Sequence, residues 1–367
     1  MKNTKKGTGR KAPRREMLLE GPHRRRSGIR RFFQQEKPVP GKSISRREAA
    51  AKRKIGVIIM TYGSATKAEN TRQYMRNIYG DKASKELIED FANRYRLVGG
   101  SPLVKITAQQ ASALQKKLGK KYFVRSGMQH SEPSIDNAVA ACKKAGAPKI
   151  VGIILSPQFS SFIMEGYRIK LLDAALRHGY SEDDVAVAAP WPTEPHFVEL
   201  LAKRVKDALK KLNKKYKKVA IVYTTHSLPE RVVKSDPSYL KQLSETIKAV
   251  VKKLGKQTSP WYQGYQSAGH TPEVWLKPDL TDILDGLNKF TAGKMTNKVP
   301  AVLIVPIQFL ADHLEILYDL DVAGKEQCDE RHVAYNRIEL PNTHRLFITS
   351  LATIAKQTQK EFARQRG

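Results

Sequence analysis

Cysteine is almost absent from this chain of 367 residues, which contains only Cys142 and Cys328. Two thiols so far apart in the sequence cannot build a disulfide framework. They are also too few for a four-thiolate iron–sulfur cluster. We therefore expect a protein of the reducing cytoplasm that carries no iron–sulfur cluster.

Long apolar runs and nucleotide-binding glycine motifs are also missing. The longest apolar runs, such as residues 55–60 and 301–307, are too short to span a bilayer, so we expect no transmembrane segment. The paired arginines within residues 27–33 precede polar residues instead of an apolar stretch, which argues against an export signal. Neither GxGxxG nor a P-loop occurs, so nucleotide binding is not indicated.

Acidic residues are scarce relative to basic ones, with 35 Asp and Glu against 66 Lys and Arg and a net charge of +31. About half of that excess lies in residues 1–54, which hold 19 basic and four acidic residues. The segment lacks apolar periodicity, which predicts a disordered tail. We favour a merely solvated tail; the alternative is weak attraction to an anionic surface, such as a membrane or nucleic acid, without specific nucleic-acid binding.

From residue 55 onward, short β-branched runs alternate with amphipathic stretches. Strand–helix alternation with nearly continuous apolar strands predicts an α/β fold with parallel sheets covered by helices on both faces. The predicted strands are 55–61, 122–126, 150–156, 185–189, 219–223 and 302–307. The predicted helices include 85–97, 106–118, 134–145 and 196–212, and a last helix over about 343–362.

Ligands of open α/β sheets bind beyond the carboxyl ends of the strands. The run at 219–223 continues to His226, and the Ser-Leu-Pro that follows stops the strand. An imidazole there can accept a proton or bind a metal near neutral pH. A histidine that only satisfies a turn is the usual alternative, but the strand-end position favours function.

An acidic stretch follows the last apolar strand. Read as a helix, it places Asp312, Glu315 and Asp319 on one face, which could guide a divalent cation. A solvated acidic face is the ordinary interpretation of such spacing. His313 points off this face, and we expect it to play a supporting or structural part. One imidazole and one carboxylate do not complete a permanent metal site, but they suit a transient one whose substrate supplies the other ligands.

Several motifs in the same order resemble those of the ferrochelatase family, and most closely its Gram-positive coproporphyrin III enzymes (class II chelatases). The resemblance covers residues 54 to about 365 and leaves only the tail unmatched. Its motifs are THSLP at 225–229, QSAGHTP at 266–272 with WLKPD at 275–279, DHLEILYD at 312–319, Tyr62-Gly63, Arg94-Tyr95 with GGSPL at 99–103, and HSEP at 130–133.

The resemblance implies two Rossmann-like lobes that enclose a tetrapyrrole. We place the tail at 1–54, the N-terminal lobe at 55–217 and the C-terminal lobe at 218–340. The last segment, 341–367, is expected to form a C-terminal helix that returns to the first lobe. The implied reaction is insertion of ferrous iron into coproporphyrin III in haem biosynthesis, in the cytoplasm, by a monomer without a permanently bound cofactor and with Fe(II) as substrate.

The resemblance also implies a role for each site residue. His226 and Glu315 handle the incoming iron and the two pyrrole protons. Tyr62 is the axial ligand to the porphyrin iron from the opposite side. Asp312 and Asp319 are candidates to guide iron. The positions that match porphyrin contacts are Arg94, Tyr95, Ser101 and Tyr167.

Four positions depart from the pattern of this family: Tyr79, Tyr265, Gln308 and Ala323. None of them removes His226 or Glu315, so they leave the reaction better supported than the choice of porphyrin. Two alternatives therefore stand beside the first interpretation. One is the same reaction on protoporphyrin IX, and the other is a tetrapyrrole- or metal-binding protein of this fold without turnover.

Overall fold

The computed structural model describes residues 54–364, except 257–258, 270, 288–289, 292–293 and 296–298. The described residues belong to the unit Arg46–Gly367, and residues 1–53 of the predicted tail lie outside them. Among these residues, no helix combines the length and the hydropathy that crossing a bilayer requires.

The first sheet has four parallel strands in the order β2-β1-β3-β4. Its central strands are apolar and buried on both faces, as the continuous β-branched runs predict. In the register, Ile55 lies beside both Tyr122 and Lys149. The strands are β1 (Ile55–Thr61), β2 (Tyr122–Met128), β3 (Lys149–Ile154) and β4 (Val185–Val187).

The second sheet is also parallel and has the order β10-β9-β5-β6. Between its second and third strands in the chain comes a short antiparallel pair, β7 (Phe290–Thr291) and β8 (Lys294–Met295). The four sheet strands are β5 (Val219–His226), β6 (Trp261–Gln266), β9 (Ala301–Pro306) and β10 (Ala334–Arg337).

Both sheets follow one strand order. Taken in chain order within each sheet, the sequence of neighbours is second, first, third, fourth, so the topology occurs twice although no repeat is visible in the residues. In each sheet the second strand is added on one side of the first strand, and the third strand is added on its other side. Open α/β sheets bind ligands at this switch point. It lies at the ends of β1 and β3 in one sheet and of β5 and β9 in the other.

Twelve α-helices cover the sheets in the described part of the chain. They are α1 (Thr71–Tyr79), α2 (Lys85–Leu97), α3 (Leu103–Leu118), α4 (Ile135–Lys144), α5 (Ser161–Arg177), α6 (Pro195–Leu212), α7 (Glu230–Ser235), α8 (Ser238–Leu254), α9 (Leu280–Leu287), α10 (Leu314–Leu317), α11 (Lys325–Glu330) and α12 (Arg345–Arg364). A π-helical turn, Asp319–Gly324, precedes α11.

The largest hydrophobic cluster lies between the two sheets. It includes Val57 and Ile59 from β1, Ile221 and Tyr223 from β5, and buried residues of α3, α6, α8 and α12. The last helix, α12, packs against α3, α6 and β3. Smaller clusters fill the outer faces, against α4 and α5 on the first sheet and α9 on the second. The two sheets therefore share a helical layer, and their switch points are fixed by a common core.

The predicted fold class is confirmed: two parallel sheets flanked by helices. All six predicted strands are present, and the helix predicted at 85–97 has the observed bounds. The sequence interpretation missed β6 and β10, which are the two edge strands of the second sheet. The lobe boundaries at 217 and 340 remain predictions.

Candidate active site

His226 is the last residue of β5, at the switch point of the second sheet. Its Nδ1 lies 2.5 Å from the carbonyl oxygen of Ser227. A carbonyl oxygen only accepts, so in the neutral form of the imidazole Nδ1 carries the proton and Nε2 has the lone pair. The side chain is 29% exposed. A partly exposed imidazole with a free lone pair can accept a proton or bind a metal.

Glu315 lies opposite that lone pair. Its Oε2 is 3.8 Å from His226 Nε2 and 3.5 Å from His313 Nε2. Burial raises the pKa of Glu315, but the positive charge that His226 carries when protonated, and the hydrogen bond and charge of His313, lower it more, so the net shift is downward. Glu315 is therefore a carboxylate at neutral pH.

His313 supports this carboxylate. Its Nδ1 lies 2.9 Å from the carbonyl oxygen of Ala311, and its Nε2 faces Glu315. Burial lowers the pKa of His313, but the hydrogen bond and charge of Glu315 raise it more, so the net shift is upward, toward the imidazolium form. We name His226, His313, Glu315 and Asp319 the ionisable cluster.

Asp319, the first residue of the π-helical turn, lies beside the pair. Its Oδ2 accepts a hydrogen bond of 2.5 Å from the Ser267 hydroxyl, and its Oδ1 is 3.9 Å from an Arg94 guanidinium nitrogen. Burial and then the negative charge of Glu315 raise the pKa of Asp319 to about 6, against a smaller opposing effect of Ser267 and Arg94. Asp319 can therefore exchange a proton close to neutral pH.

The expected helix through the acidic stretch is wrong at its start. Helix α10 begins at Leu314, so Asp312 lies outside it. The Asp312 carboxylate accepts a hydrogen bond of 2.8 Å from the Asn342 amide and lies 3.7 Å from Arg337, while its backbone N–H donates to Asn342 at 3.0 Å. These contacts hold the chain before α10 in a loop. Asp312, which we predicted on one face with Glu315, is thus paired with other residues.

Tyr62 directly follows β1, at the switch point of the first sheet. The residue is 42% exposed, and its ring lies 4.4 Å from that of His130. Burial, then Tyr79, then Glu315 raise the pKa of Tyr62. The phenol is therefore uncharged, and it lies near enough to Glu315 to be influenced by that charge.

Three further tyrosines lie near Tyr62. Tyr74 donates to the carbonyl oxygen of Gly63 at 2.9 Å, and the Tyr95 hydroxyl is 3.0 Å from the Ser64 hydroxyl. Tyr167, on α5, is 5% exposed. Burial raises the pKa of Tyr95 to about 12, although hydrogen bonds from Ser64 and Ala65 oppose it, and burial also raises the pKa of Tyr74 and Tyr167. We name Tyr62, Tyr74, Tyr95 and Tyr167 the phenolic cluster.

Arg94 precedes Tyr95 of the phenolic cluster in the chain, and its guanidinium approaches Asp319 of the ionisable cluster. One guanidinium nitrogen is 2.7 Å from Asp90, and the group stacks on the rings of Phe91 and Tyr318 at 5.2 and 5.0 Å. Two aromatic faces hold the planar cation in place. Its contact with Asp319 places the positive charge of the guanidinium beside the ionisable cluster.

A small apolar cluster brings the two switch points together. Tyr74, Met75 and Tyr95, from α1 and α2, pack with Leu314 of α10. Ser101, predicted to contact a porphyrin, lies just after α2; it is 6% exposed, and its hydroxyl accepts from the backbone N–H of Leu103 at 3.4 Å. The α1–α2 region thus connects the phenolic cluster to the element that carries Glu315.

His226 and Glu315 have the geometry of two ligands on one ion. Ligand atoms about 2.1 Å from a tetrahedral metal are roughly 3.4 Å apart, close to the observed 3.8 Å. Two protein ligands leave positions for nitrogens of a substrate. The arrangement can hold a divalent cation briefly and remove protons from a group beside it.

With this geometry in place, comparison with known proteins identifies the family. The ferrochelatase family model matches residues 54–359. The coproporphyrin III ferrochelatase of Geobacillus sp. (strain WCH70) is 35% identical over 83% of this chain and 97% of that protein. The enzyme of the same name from Anoxybacillus flavithermus is 35% identical over 83% of this chain and 96% of that protein. The chain belongs to the ferrochelatase family.

The chain is also similar to a solved structure. SirB from Bacillus subtilis with Fe3+ matches with a TM-score of 0.49 and 14% sequence identity, over 84% of this chain and 98% of that chain.

The predicted site residues fall into groups. The structure brings His226, Glu315 and Asp319 together with Arg94, and places Tyr62, Tyr95 and Tyr167 within the influence of the Glu315 charge. Sequence reasoning missed the contributions of Tyr74, of Ser267 and of Tyr239, whose hydroxyl lies 2.8 Å from the carbonyl oxygen of His226. The motif around Ser267 was visible in the sequence, whereas no local signal marks Tyr74 or Tyr239.

Proposed function

We propose that this protein inserts ferrous iron into coproporphyrin III, with the macrocycle held between the phenolic and the ionisable clusters. The observation that carries the proposal is the His226–Glu315 pair, whose Nε2 and Oε2 lie 3.8 Å apart at a switch point of the fold. The choice of coproporphyrin III as the substrate is supported by the names of the relatives.

Iron insertion needs a proton acceptor. Two pyrrole N–H protons leave the macrocycle as one Fe(II) enters, so the charge of the macrocycle–metal unit is conserved and two protons pass to the protein or to water. His226 Nε2 is free to take one because Nδ1–H is already donated to Ser227. His313 favours the carboxylate form of Glu315, which can pass protons onward.

Iron must also lose water before it enters the ring. A carboxylate and an imidazole replace part of its hydration shell and lower that cost. In this proposal Glu315 and His226 receive Fe(II) as substrate, and Asp319 guides it toward them. Asp312 is the weaker candidate for guidance because Asn342 and Arg337 already engage its carboxylate.

The phenolic cluster lies against the opposite face of the macrocycle in this proposal. We assign Tyr62 as the axial ligand to the porphyrin iron, and its 42% exposure supports access to a ligand. Tyr95, Tyr167 and Ser101 form the surrounding wall. Arg94 is suited to bidentate recognition of a propionate, since a guanidinium matches carboxylate geometry. In this proposal the two sheets belong to the two lobes that enclose the macrocycle.

An anaerobic assay tests the proposed reaction. Purified protein, Fe(II) and either coproporphyrin III or protoporphyrin IX are mixed, and loss of the free-porphyrin spectrum is followed. We expect rapid insertion into coproporphyrin III and slower insertion into protoporphyrin IX. The reverse preference would assign the protoporphyrin reaction, and binding of either porphyrin without metallation would identify a carrier.

The same proposal describes a cytosolic monomer whose basic tail is dispensable for catalysis. Removing residues 1–53 should leave the rate unchanged and abolish any retention on anionic vesicles. A loss of insertion activity in a variant whose unfolding temperature is unchanged would show that the tail takes part in the reaction. Gel filtration at assay concentration measures the oligomeric state.

A further inference from the structure

Gln308 contacts His226 from the neighbouring strand end. It lies just beyond β9 and is 6% exposed. Its Oε1 accepts a hydrogen bond of 3.0 Å from the backbone N–H of His226. The Tyr239 hydroxyl lies 3.0 Å from the same Oε1 and 2.8 Å from the carbonyl oxygen of His226, so its single proton can be donated to either.

This contact replaces a missing bond of the sheet. The pairing of β5 with β9 ends at Thr224 and Pro306, and Ile307 N–H still donates to Thr224 at 3.0 Å. In a regular parallel ladder, the next donor, His226 N–H, would bond the carbonyl oxygen of Ile307. That oxygen instead accepts from the Gln158 amide at 3.2 Å. The Gln308 side chain supplies the acceptor that the backbone does not.

From these contacts we infer that Gln308 is a positioning residue for His226. The inference rests on the proposed function, in which His226 Nε2 receives a pyrrole proton. Gln308 and Tyr239 fix both backbone polar groups of His226, and Ser227 fixes its Nδ1. With these three points held, the lone pair of Nε2 faces Glu315.

The acceptor atom of Gln308, rather than its bulk, carries this role. Methionine has nearly the same length and no oxygen, so Gln308→Met leaves the half-buried His226 N–H without a partner. Glutamate keeps an oxygen at the same place, so Gln308→Glu retains the bond. The pair separates the loss of an acceptor from the loss of packing.

A second buried glutamine provides the matched control. Gln110, on α3, is fully buried, and its amide donates to the carbonyl oxygens of Leu310 and Asn342 at 3.1 and 3.0 Å. It holds the same loop two residues after Gln308 but does not contact His226. Gln110→Met should therefore cost stability without disturbing the imidazole.

The test compares steady-state iron insertion by the full-length wild type and the three variants, with unfolding temperatures measured in parallel. We expect Gln308→Met to lower kcat roughly tenfold or more while KM for coproporphyrin III stays within about twofold, because a misplaced reacting group costs rate rather than binding. Gln308→Glu should return kcat to within about threefold of the wild type. Gln110→Met should lower the unfolding temperature and leave kcat unchanged.

A spectroscopic readout makes the result independent of turnover. With 15N-labelled histidine, the wild type should show His226 with the proton on Nδ1, and Gln308→Met should show a mixture of tautomers. Wild-type kcat and an unchanged tautomer in Gln308→Met would overturn the inference. So would equal loss of kcat in Gln308→Met and Gln308→Glu. If the wild type itself inserts no iron, the proposed function fails, whereas the tautomer comparison still decides the role of Gln308.

Discussion

The two switch points of this molecule share a topology and differ in chemistry. The first sheet presents Tyr62 at the end of β1, with Tyr74, Tyr95 and Tyr167 nearby. The second presents His226 at the end of β5 and Glu315 after β9. One strand order therefore positions uncharged phenols on one side and an imidazole–carboxylate pair on the other.

Burial raises pKa values at both switch points, but the net shift is upward for the phenols and downward for Glu315. It raises the pKa of each phenol and so preserves the neutral form that already prevails near pH 7. It also raises the pKa of Glu315, but there His226 and His313 more than offset it. A neutral wall beside a charged one suits a flat ligand that must lose protons on one face only.

The largest expected effect comes from removing the imidazole. His226→Ala should lower the rate of iron insertion by about 10³-fold or more, since a positioned general base contributes on the order of 10²–10⁴ and the metal contact is lost too. Stopped-flow loss of the free-porphyrin spectrum measures it. His178→Ala is the matched control because His178 pairs with Asp136 on the surface. A rate for His226→Ala equal to that of the control would remove the assigned role.

Neutralising the carboxylate should have the next largest effect. Glu315→Gln keeps the shape and removes the charge, so we expect about 10²-fold slower insertion at saturating porphyrin. Because Glu315 raises the pKa of His313, NMR titration should also show that pKa lower in the variant. Glu273→Gln, which alters a surface pair with Arg231, should change neither quantity. An unaltered rate in Glu315→Gln would mean that its charge is not used.

Asp319 provides a smaller, pH-dependent effect on stability. Its pKa, raised from 3.8 to about 6, makes the folded state prefer the protonated acid. The resulting cost is fully present above pH 6 and absent below 3.8, because there the acid is protonated in both states. Asp319→Asn should therefore raise the free energy of unfolding by about 3 kcal/mol at pH 8 and leave it unchanged at pH 3.5. Urea titrations at both pH values measure this, and a gain independent of pH would contradict the assignment.

The smallest effect on rate is expected on the phenolic side. Tyr62→Phe keeps the ring against His130 and removes only the hydroxyl. We expect insertion to slow by no more than about threefold, since the ring remains and the acid–base pair is on the other wall. The absorption spectrum of the bound iron porphyrin should change because an axial oxygen is lost. An unchanged spectrum would count against axial ligation by Tyr62.

The fold could be predicted from the sequence where strands are buried on both faces. β1 and β9 read as continuous apolar runs, whereas the edge strands β6 and β10 are only partly buried and show no such run. His226 could be found because a strand delivers it to a switch point. The environment of Asp312 could not, since its partners Asn342 and Arg337 lie 30 and about 25 residues away and meet it only in the folded chain.

The contact between Gln308 and His226 could not be predicted from the sequence either, because its residues are far apart in the chain. Gln308 is 82 residues from His226 and 69 from Tyr239. No local pattern relates positions so far apart, whereas the parallel register of β5 and β9 brings the end of β9 beside His226.

A crystal structure of the protein with coproporphyrin III tests the central claim most directly. The account predicts that the macrocycle lies between the two clusters, with the Tyr62 hydroxyl toward one face and His226 Nε2 and Glu315 Oε2 toward the other. A macrocycle bound elsewhere, or one with Tyr62 and His226 on the same face, would contradict it.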